Sequence, residues 1–175
     1  MSKTLILYST TDGQTKKICE YIKLNLKNRS KIDVLRLNKN MELCNENYDD
    51  IIIGASIRYG KYQKDLFDFI EKNKATLESK NNAFFSVNVV ARKSEKSNPD
   101  TNPYMKKFLE SVTWRPKSLA VFAGKIDYPK YRFFDKQMIR FIMYLTNGPT
   151  NIDETYEFTD WSEVKKFARS LDFHR

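Results

Sequence analysis

The residues best placed to do chemistry form one short run, Ser9-Thr10-Thr11-Asp12-Gly13-Gln14-Thr15. It follows the apolar stretch Leu5-Ile6-Leu7-Tyr8. It precedes Ile18, Cys19, Ile22 and Leu26, which recur at helical spacing among Lys16, Lys17, Glu20, Lys23 and Lys27. That pattern is strand, tight loop, helix. Hydroxyls from Ser9, Thr10, Thr11 and Thr15 stand beside the N–H groups that open the helix. Those donors lack intrahelical acceptors and lie at the positive end of the helix dipole, an arrangement that suits a phosphate. Gly13 lets the backbone turn tightly and approach an anion. The loop therefore reads as the phosphate cradle of a bound nucleotide, although an ordinary N-capped helix after a strand has the same signature. It contains neither G-x-x-x-x-G-K-[ST] nor G-x-G-x-x-G, which excludes the nucleoside-triphosphate P-loop and the dinucleotide fingerprint.

Little else in the chain is reactive. The one histidine, His174, is next to the last residue, which argues against a histidine-based triad or a histidine-ligated zinc, and no metal site is expected. Cys19 and Cys44 are neither a C-x-x-C pair nor a metal cluster and read as buried free thiols in a reducing compartment. Chemistry is thus assigned to a bound cofactor, and no catalytic side chain is named. The formal net charge of +9 points to an anionic partner: nucleic acid, anionic lipid or an acidic small molecule. No apolar run approaches the ~20 residues of a membrane span, and the N-terminus lacks a signal-peptide layout, so a cytoplasmic protein is expected.

The elements that must position the loop alternate along the chain. Strands are expected at about 4–9, 32–37, 51–56, 83–90 and 119–124, with Ile51-Ile52-Ile53 the clearest buried run. Helices are expected at about 13–28, after Gly60, at 104–112 and at 161–171, the last capped by Asp160. Asn38 to Asp50 reads as a short helix or loop. Alternation of nearly continuous apolar strands with helices implies an α/β fold: a five-stranded parallel sheet of order 2-1-3-4-5, helices on both faces, and a ligand at the carboxyl ends of the strands. Gly13, Gly54, Gly60 and Gly124 all fall near or just beyond those ends and read as tight turns on that edge. Residues 1–175 form one domain in this reading, with a long insert at about 125–160 after the last core strand.

The loop S-T-T-D-G-Q-T resembles the [ST]-x-T-G-x-T phosphate loop of flavodoxins, with Asp12 as an extra residue. An acid beside a phosphate must point away or cap the helix. Further runs are similar to a family of flavodoxin-like, menaquinone-dependent protoporphyrinogen dehydrogenases. These are Gly54-Ala55-Ser56-Ile57-Arg58-Tyr59-Gly60, Ser86-Val87-Asn88-Val89-Val90-Ala91-Arg92-Lys93, Trp114-Arg115-Pro116, Tyr128-Pro129-Lys130-Tyr131-Arg132 and Thr159-Asp160-Trp161. Each is short; their order and spacing cover essentially the whole chain. The resemblance implies an FMN enzyme of haem synthesis that oxidises protoporphyrinogen IX and reduces a respiratory quinone at the cytoplasmic face of the inner membrane. It implies the FMN phosphate at Ser9–Thr15, and the isoalloxazine between Ser56, Ile57, Arg58, Tyr59 and Gly60 on one side and Asn88, Val89, Val90 and Ala91 on the other. Tyr59 is the aromatic candidate to stack on the ring, and Arg58 the charge that would favour its anionic reduced form.

The insert separates this chain from a minimal flavodoxin. From Tyr131 to Leu145 the pattern is helical, with Phe134, Met138, Phe141, Ile142 and Leu145 on one face and Ile139 and Met143 widening it. Lys130, Arg132, Lys136 and Arg140 add positive charge. Such a helix suits an anionic membrane surface, a cover over the flavin edge that grips porphyrinogen carboxylates, or plain core packing. Two rival functions stay open: a flavodoxin-type electron carrier or general quinone reductase, and a non-enzymatic module binding nucleic acid or membrane. The first fits poorly with the +9 charge and the insert; the second leaves the hydroxyl loop unexplained, and no nucleic-acid partner is expected. A receiver domain would need an aspartate where Gly54-Ala55-Ser56 stands.

Overall fold

The computed structural model describes residues 2–27, 29–44 and 47–171, with only the backbone of Arg29 and Ser30. His174 and Asn28 lie outside the described residues. The elements are β1 (Ser2–Ser9), α1 (Gln14–Asn25), β2 (Arg29–Arg36), β3 (Asp50–Ser56), α2 (Lys64–Ser79), β4 (Asn81–Asn88), α3 (Pro103–Ser111), β5 (Ser118–Ala123), β6 (Lys125–Asp127), α4 (Phe133–Leu145), β7 (Thr155–Glu157) and α5 (Trp161–Ser170). β1 to β5 form one parallel sheet of order β2-β1-β3-β4-β5.

The apolar strands are nearly continuous because both faces are covered. Alternate residues go to opposite sides. Leu5, Leu7, Ile51 and Ile53 pack with Leu66, Phe69 and Phe108 of α2 and α3. Ile6, Ile52, Ala83 and Phe85 pack with Ile18 and Ile22 of α1 and Val164 and Phe167 of α5. Capping sets two helix starts: the Asn102 side chain accepts from the N–H groups of Tyr104 and Met105, and Asp160 accepts from Ser162 and Glu163.

Several sequence expectations change. Val89 and Val90 do not continue β4; they begin a 3-10 turn because the Asn88 side chain accepts from the Ala91 N–H at 3.1 Å. Of the two alternatives for Asn38 to Asp50, the described residues up to Asp49 take the loop, and Asp50 opens β3. Cys19 is buried, and burial pushes its thiol far up, but Cys44 is exposed rather than buried. Gly54 lies inside β3, not in a turn; a Cβ there would collide with the Phe85 ring. Core packing, rather than a tight loop, therefore requires glycine at 54.

The insert forms structure of its own. β6 and β7 pair antiparallel, Ile126 opposite Tyr156. Ile126, Tyr128 and Met143 are buried together, joined by Ile139, Ile142 and Tyr156. α4 is apolar on two sides. Ile139, Ile142 and Met143 face inward, whereas Phe134 is 84% exposed, Phe141 58% and Leu145 62%. The apolar face expected from periodicity is thus divided, with Ile142 on the inner side.

Candidate functional site

Three parallel strands deliver three loops to one edge. Ser9 pairs with Ala55 and Ser56 with Val87, so β1, β3 and β4 end side by side. A cleft opens there. Its walls are Thr10 to Asp12 with Gln14 and Thr15, Ser56 to Gly60, and Asn88 to Val90, closed on the far side by Tyr131, Ile139, Ile142 and Met143 of the insert. Of the expected site residues, Ser9, Gly13 and Ala91 do not line it.

The hydroxyl loop is divided in role. The Thr10 hydroxyl accepts from the Gly13 N–H at 3.0 Å and shapes the turn. Ser9 is buried and donates to Gln63 Oε1 at 3.0 Å, while Gln63 Nε2 donates to the Thr11 hydroxyl at 3.3 Å. The Gln14 amide is committed to the protein, donating to Thr159 Oγ1 at 2.9 Å and Glu157 Oε1 at 3.1 Å. Gly13 has φ of 88°, which by itself demands glycine; a Cβ there would meet no protein atom within 4 Å. Thr15 is the telling residue: it borders the cleft, and its hydroxyl is fully buried with no hydrogen-bond partner among the described residues. Buried hydroxyls are seldom left unpaired, so this one fits an oxyanion bound at the helix start. The N–H groups of Gln14, Thr15 and Lys16, which precede the first intrahelical bonds, would complete the cradle.

Asp12 does point away from the helix start. Arg58 Nη1 contacts both its carboxylate oxygens, at 2.9 and 2.8 Å, so the acid is neutralised. Arg58 lies over the Tyr131 ring, 4.8 Å from its centroid, and 5.2 Å from that of Tyr59. Burial alone would lower the Arg58 guanidinium, but Asp12, with Tyr59 and Tyr131, more than offsets this and holds it above its ordinary value. Tyr59 has positive φ, 48°, a strained conformation for a bulky residue. It is 46% exposed, and its hydroxyl bonds Asp135 of α4. The Tyr131 hydroxyl donates to Asp12 Oδ2 at 3.4 Å, and burial pushes its pKa up to about 12.

The third loop rests on a buried polar chain. The Asn88 and Asn102 amides bond reciprocally at 3.3 and 3.1 Å; Asn88 also donates to Ser86 Oγ at 3.0 Å, which accepts from Tyr62 at 2.7 Å. Asn88 thereby fixes the turn that presents Val89 and Val90, while Ala91 is held in the core beneath. Sequence reasoning missed Gln63, Tyr104 and Tyr131 as parts of this site. For Tyr131 a signal existed, since it belongs to the Tyr128–Arg132 run. For Gln63, 54 residues from Ser9, there was none.

Known proteins resemble this chain in sequence and in fold. The model of the flavodoxin domain family matches residues 5–153. The chain is 46% identical over 170 residues to a protein of Escherichia coli (strain K12) named protoporphyrinogen IX dehydrogenase (quinone), covering 97% of this chain and 94% of that one. A protein of the same name from Leishmania major is 40% identical over 168 residues, covering 95% of this chain and 73% of that one. Among solved structures, oxidised Flavodoxin 1 from Bacillus cereus superposes with a TM-score of 0.52 at 15% identity, over 99% of each chain, which shows a shared fold. The chain therefore belongs to the flavodoxin domain family, and within it to the group formed by these protoporphyrinogen IX dehydrogenases.

Proposed function

We propose that this protein binds FMN and oxidises protoporphyrinogen IX to protoporphyrin IX in haem biosynthesis, passing the electrons to a respiratory quinone, menaquinone or ubiquinone. The observation that carries the reading is likeness along the whole chain to proteins of that name, with the motif-bearing loops 56–60 and 88–90 lining the same cleft as the hydroxyl loop. The cofactor would supply two-electron acceptance at its ring in each step, which no side chain here offers. Thr10, Thr11 and Thr15 would hold its phosphate, with Ser9 and Gln63 bracing the loop from behind. Arg58, Tyr59, Val89 and Val90 would flank its ring. Ile139, Ile142 and Met143 present apolar side chains along one wall of the cleft. Both Asp12 carboxylate oxygens are engaged by Arg58, and burial raises Tyr104 and Tyr131, so both tyrosines stay protonated donors at neutral pH. With no side chain assigned as base, protons from the substrate would leave to the cofactor or to solvent. The test is anaerobic turnover: protoporphyrinogen should be consumed catalytically only when a quinone is supplied. A flavin-loaded protein that protoporphyrinogen fails to reduce would point to an electron carrier or a general quinone reductase.

The same reading places the protein peripherally on the cytoplasmic face of the inner membrane, through residues 131–145. No helix among the described residues is long and apolar enough to cross a membrane. The outer face of α4 instead exposes Phe133, Phe134, Met138, Phe141, Tyr144 and Leu145, flanked by exposed Arg132 and Arg140. This combination suits an anionic lipid surface, each basic residue near it contributing about 1 kcal/mol that salt weakens. A Phe134→Glu, Phe141→Glu variant should lose co-sedimentation with anionic vesicles; unchanged sedimentation of the folded variant would refute the contact.

A further inference from the structure

A second pocket adjoins the cleft on the side away from α4. It lies between α2 and α3, encloses about 350 Å³, and shares Ile57, Gly60 and Tyr104 with the cleft. Its floor is aromatic: Tyr62, Phe67 and Phe108 lie within 6.3 Å of one another, ring centre to ring centre. Its rim is cationic, formed by Lys61, Lys64 and Lys107, all exposed. No carboxylate lines it, and none of the three lysines forms an ion pair among the described residues. Elsewhere on this surface lysines do find acids, as Lys72 does Glu42 and Lys125 and Lys130 do Asp127. The rings are tilted or edge-on to one another, at 41–74°, so the floor is apolar and faceted. Such a floor with unneutralised positive charge at its mouth suits a large, saucer-shaped apolar molecule that carries carboxylates at one edge.

We propose that this pocket is a subsite for the substrate, in which Lys61, Lys64 and Lys107 hold the carboxylates of the tetrapyrrole while its ring system reaches past Ile57 and Gly60 into the cleft. The assignment rests on the function proposed above. It differs from a quinone site because a quinone has no anionic edge for three lysines to meet. Charge complementarity and continuity with the cleft are the two independent supports. The lysines are positioning residues: they anchor the substrate and touch none of the reacting atoms.

The experiment uses the FMN-loaded protein and compares it with a Lys61→Gln, Lys64→Gln, Lys107→Gln variant and the matching triple Lys→Arg variant. Each exposed lysine facing a carboxylate accounts for a modest, salt-screened share, and three together should raise KM for protoporphyrinogen about tenfold with kcat and FMN affinity unchanged. The arginine variant should restore KM. The dimethyl ester of the substrate should be handled alike by all three proteins, and high salt should abolish the difference between acid and ester. Binding of the product porphyrin, followed by quenching of its fluorescence, gives the same comparison without turnover. An unchanged KM with no acid-versus-ester discrimination overturns the subsite. So does a KM defect confined to Lys125→Gln on the insert side of the cleft. If the unvaried protein neither turns over protoporphyrinogen nor binds the porphyrin, the proposed function fails, and this subsite with it.

Discussion

Replacing Thr15 by valine separates the protein's own stability from its affinity for a phosphate. The two side chains share a shape, so packing around the fully buried position changes little. The hydroxyl, however, has no hydrogen-bond partner among the described residues. An unsatisfied buried polar group costs about 1–3 kcal/mol, so the ligand-free valine variant should be more stable by roughly 1 kcal/mol, a rise of about 2–4 °C in Tm for a chain of this size. With FMN the sign reverses. A hydrogen bond to a charged group is worth about 1.5–3 kcal/mol, and its loss should weaken FMN roughly tenfold to a hundredfold. Urea denaturation of the apoprotein measures the first effect, and quenching of flavin fluorescence on titration measures the second. Riboflavin, which lacks the phosphate, supplies the control: its affinity should be the same for both proteins. Equal losses for FMN and riboflavin, or an unchanged FMN affinity, would refute a phosphate at Thr15.

Two further outcomes follow from packing and charge. Gly54→Ala should cost about 1–3 kcal/mol, because the new Cβ would overlap the Phe85 ring; combining it with Phe85→Leu should recover part of the loss, and strictly additive unfolding energies would contradict the collision. Asp127 joins Lys125, Lys130 and the Thr155 hydroxyl at the β6–β7 ribbon. Burial alone would raise its carboxyl, but these partners outweigh that and hold it below the usual carboxylate value. Its folded pKa being the lower, its contribution is complete above the unfolded value and disappears as pH falls through the folded one. Native protein should therefore lose tertiary near-ultraviolet dichroism on acidification more steeply than Asp127→Asn, and parallel acid titrations would contradict this.

The sheet was legible because its signals are local and mutually consistent. Runs such as Ile51-Ile52-Ile53 and the change of period after Gly13 report strand and helix without reference to the rest of the chain. The cap at Asp160 is equally local. What escaped the sequence depends on partners far along the chain. Ser9 and Gln14 belong to the hydroxyl loop by position, yet Gln63 claims the first and Glu157 and Thr159 the second. Val89 and Val90 have strand-like side chains, but an amide at Asn88, itself braced by Asn102, bends the backbone beneath them. β6 and β7 are three residues each, too short for alternation to show. Periodicity identified the helix of the insert and its breadth of apolar residues, but not which of them the fold would cover.

The two-sided construction of α4 has a thermodynamic corollary. Its inner residues Ile139, Ile142 and Met143 form a wall of the cleft, its Asp135 holds Tyr59, and its outer residues stand in solvent. Anything that grips the outer face and favours one seating of the helix also selects one shape of the cleft. Linkage makes the influence reciprocal: a ligand in the cleft must alter the outer face's affinity for its own partner by the same factor. Adsorption and substrate affinity would then be two readouts of a single coupling free energy, measurable from either end.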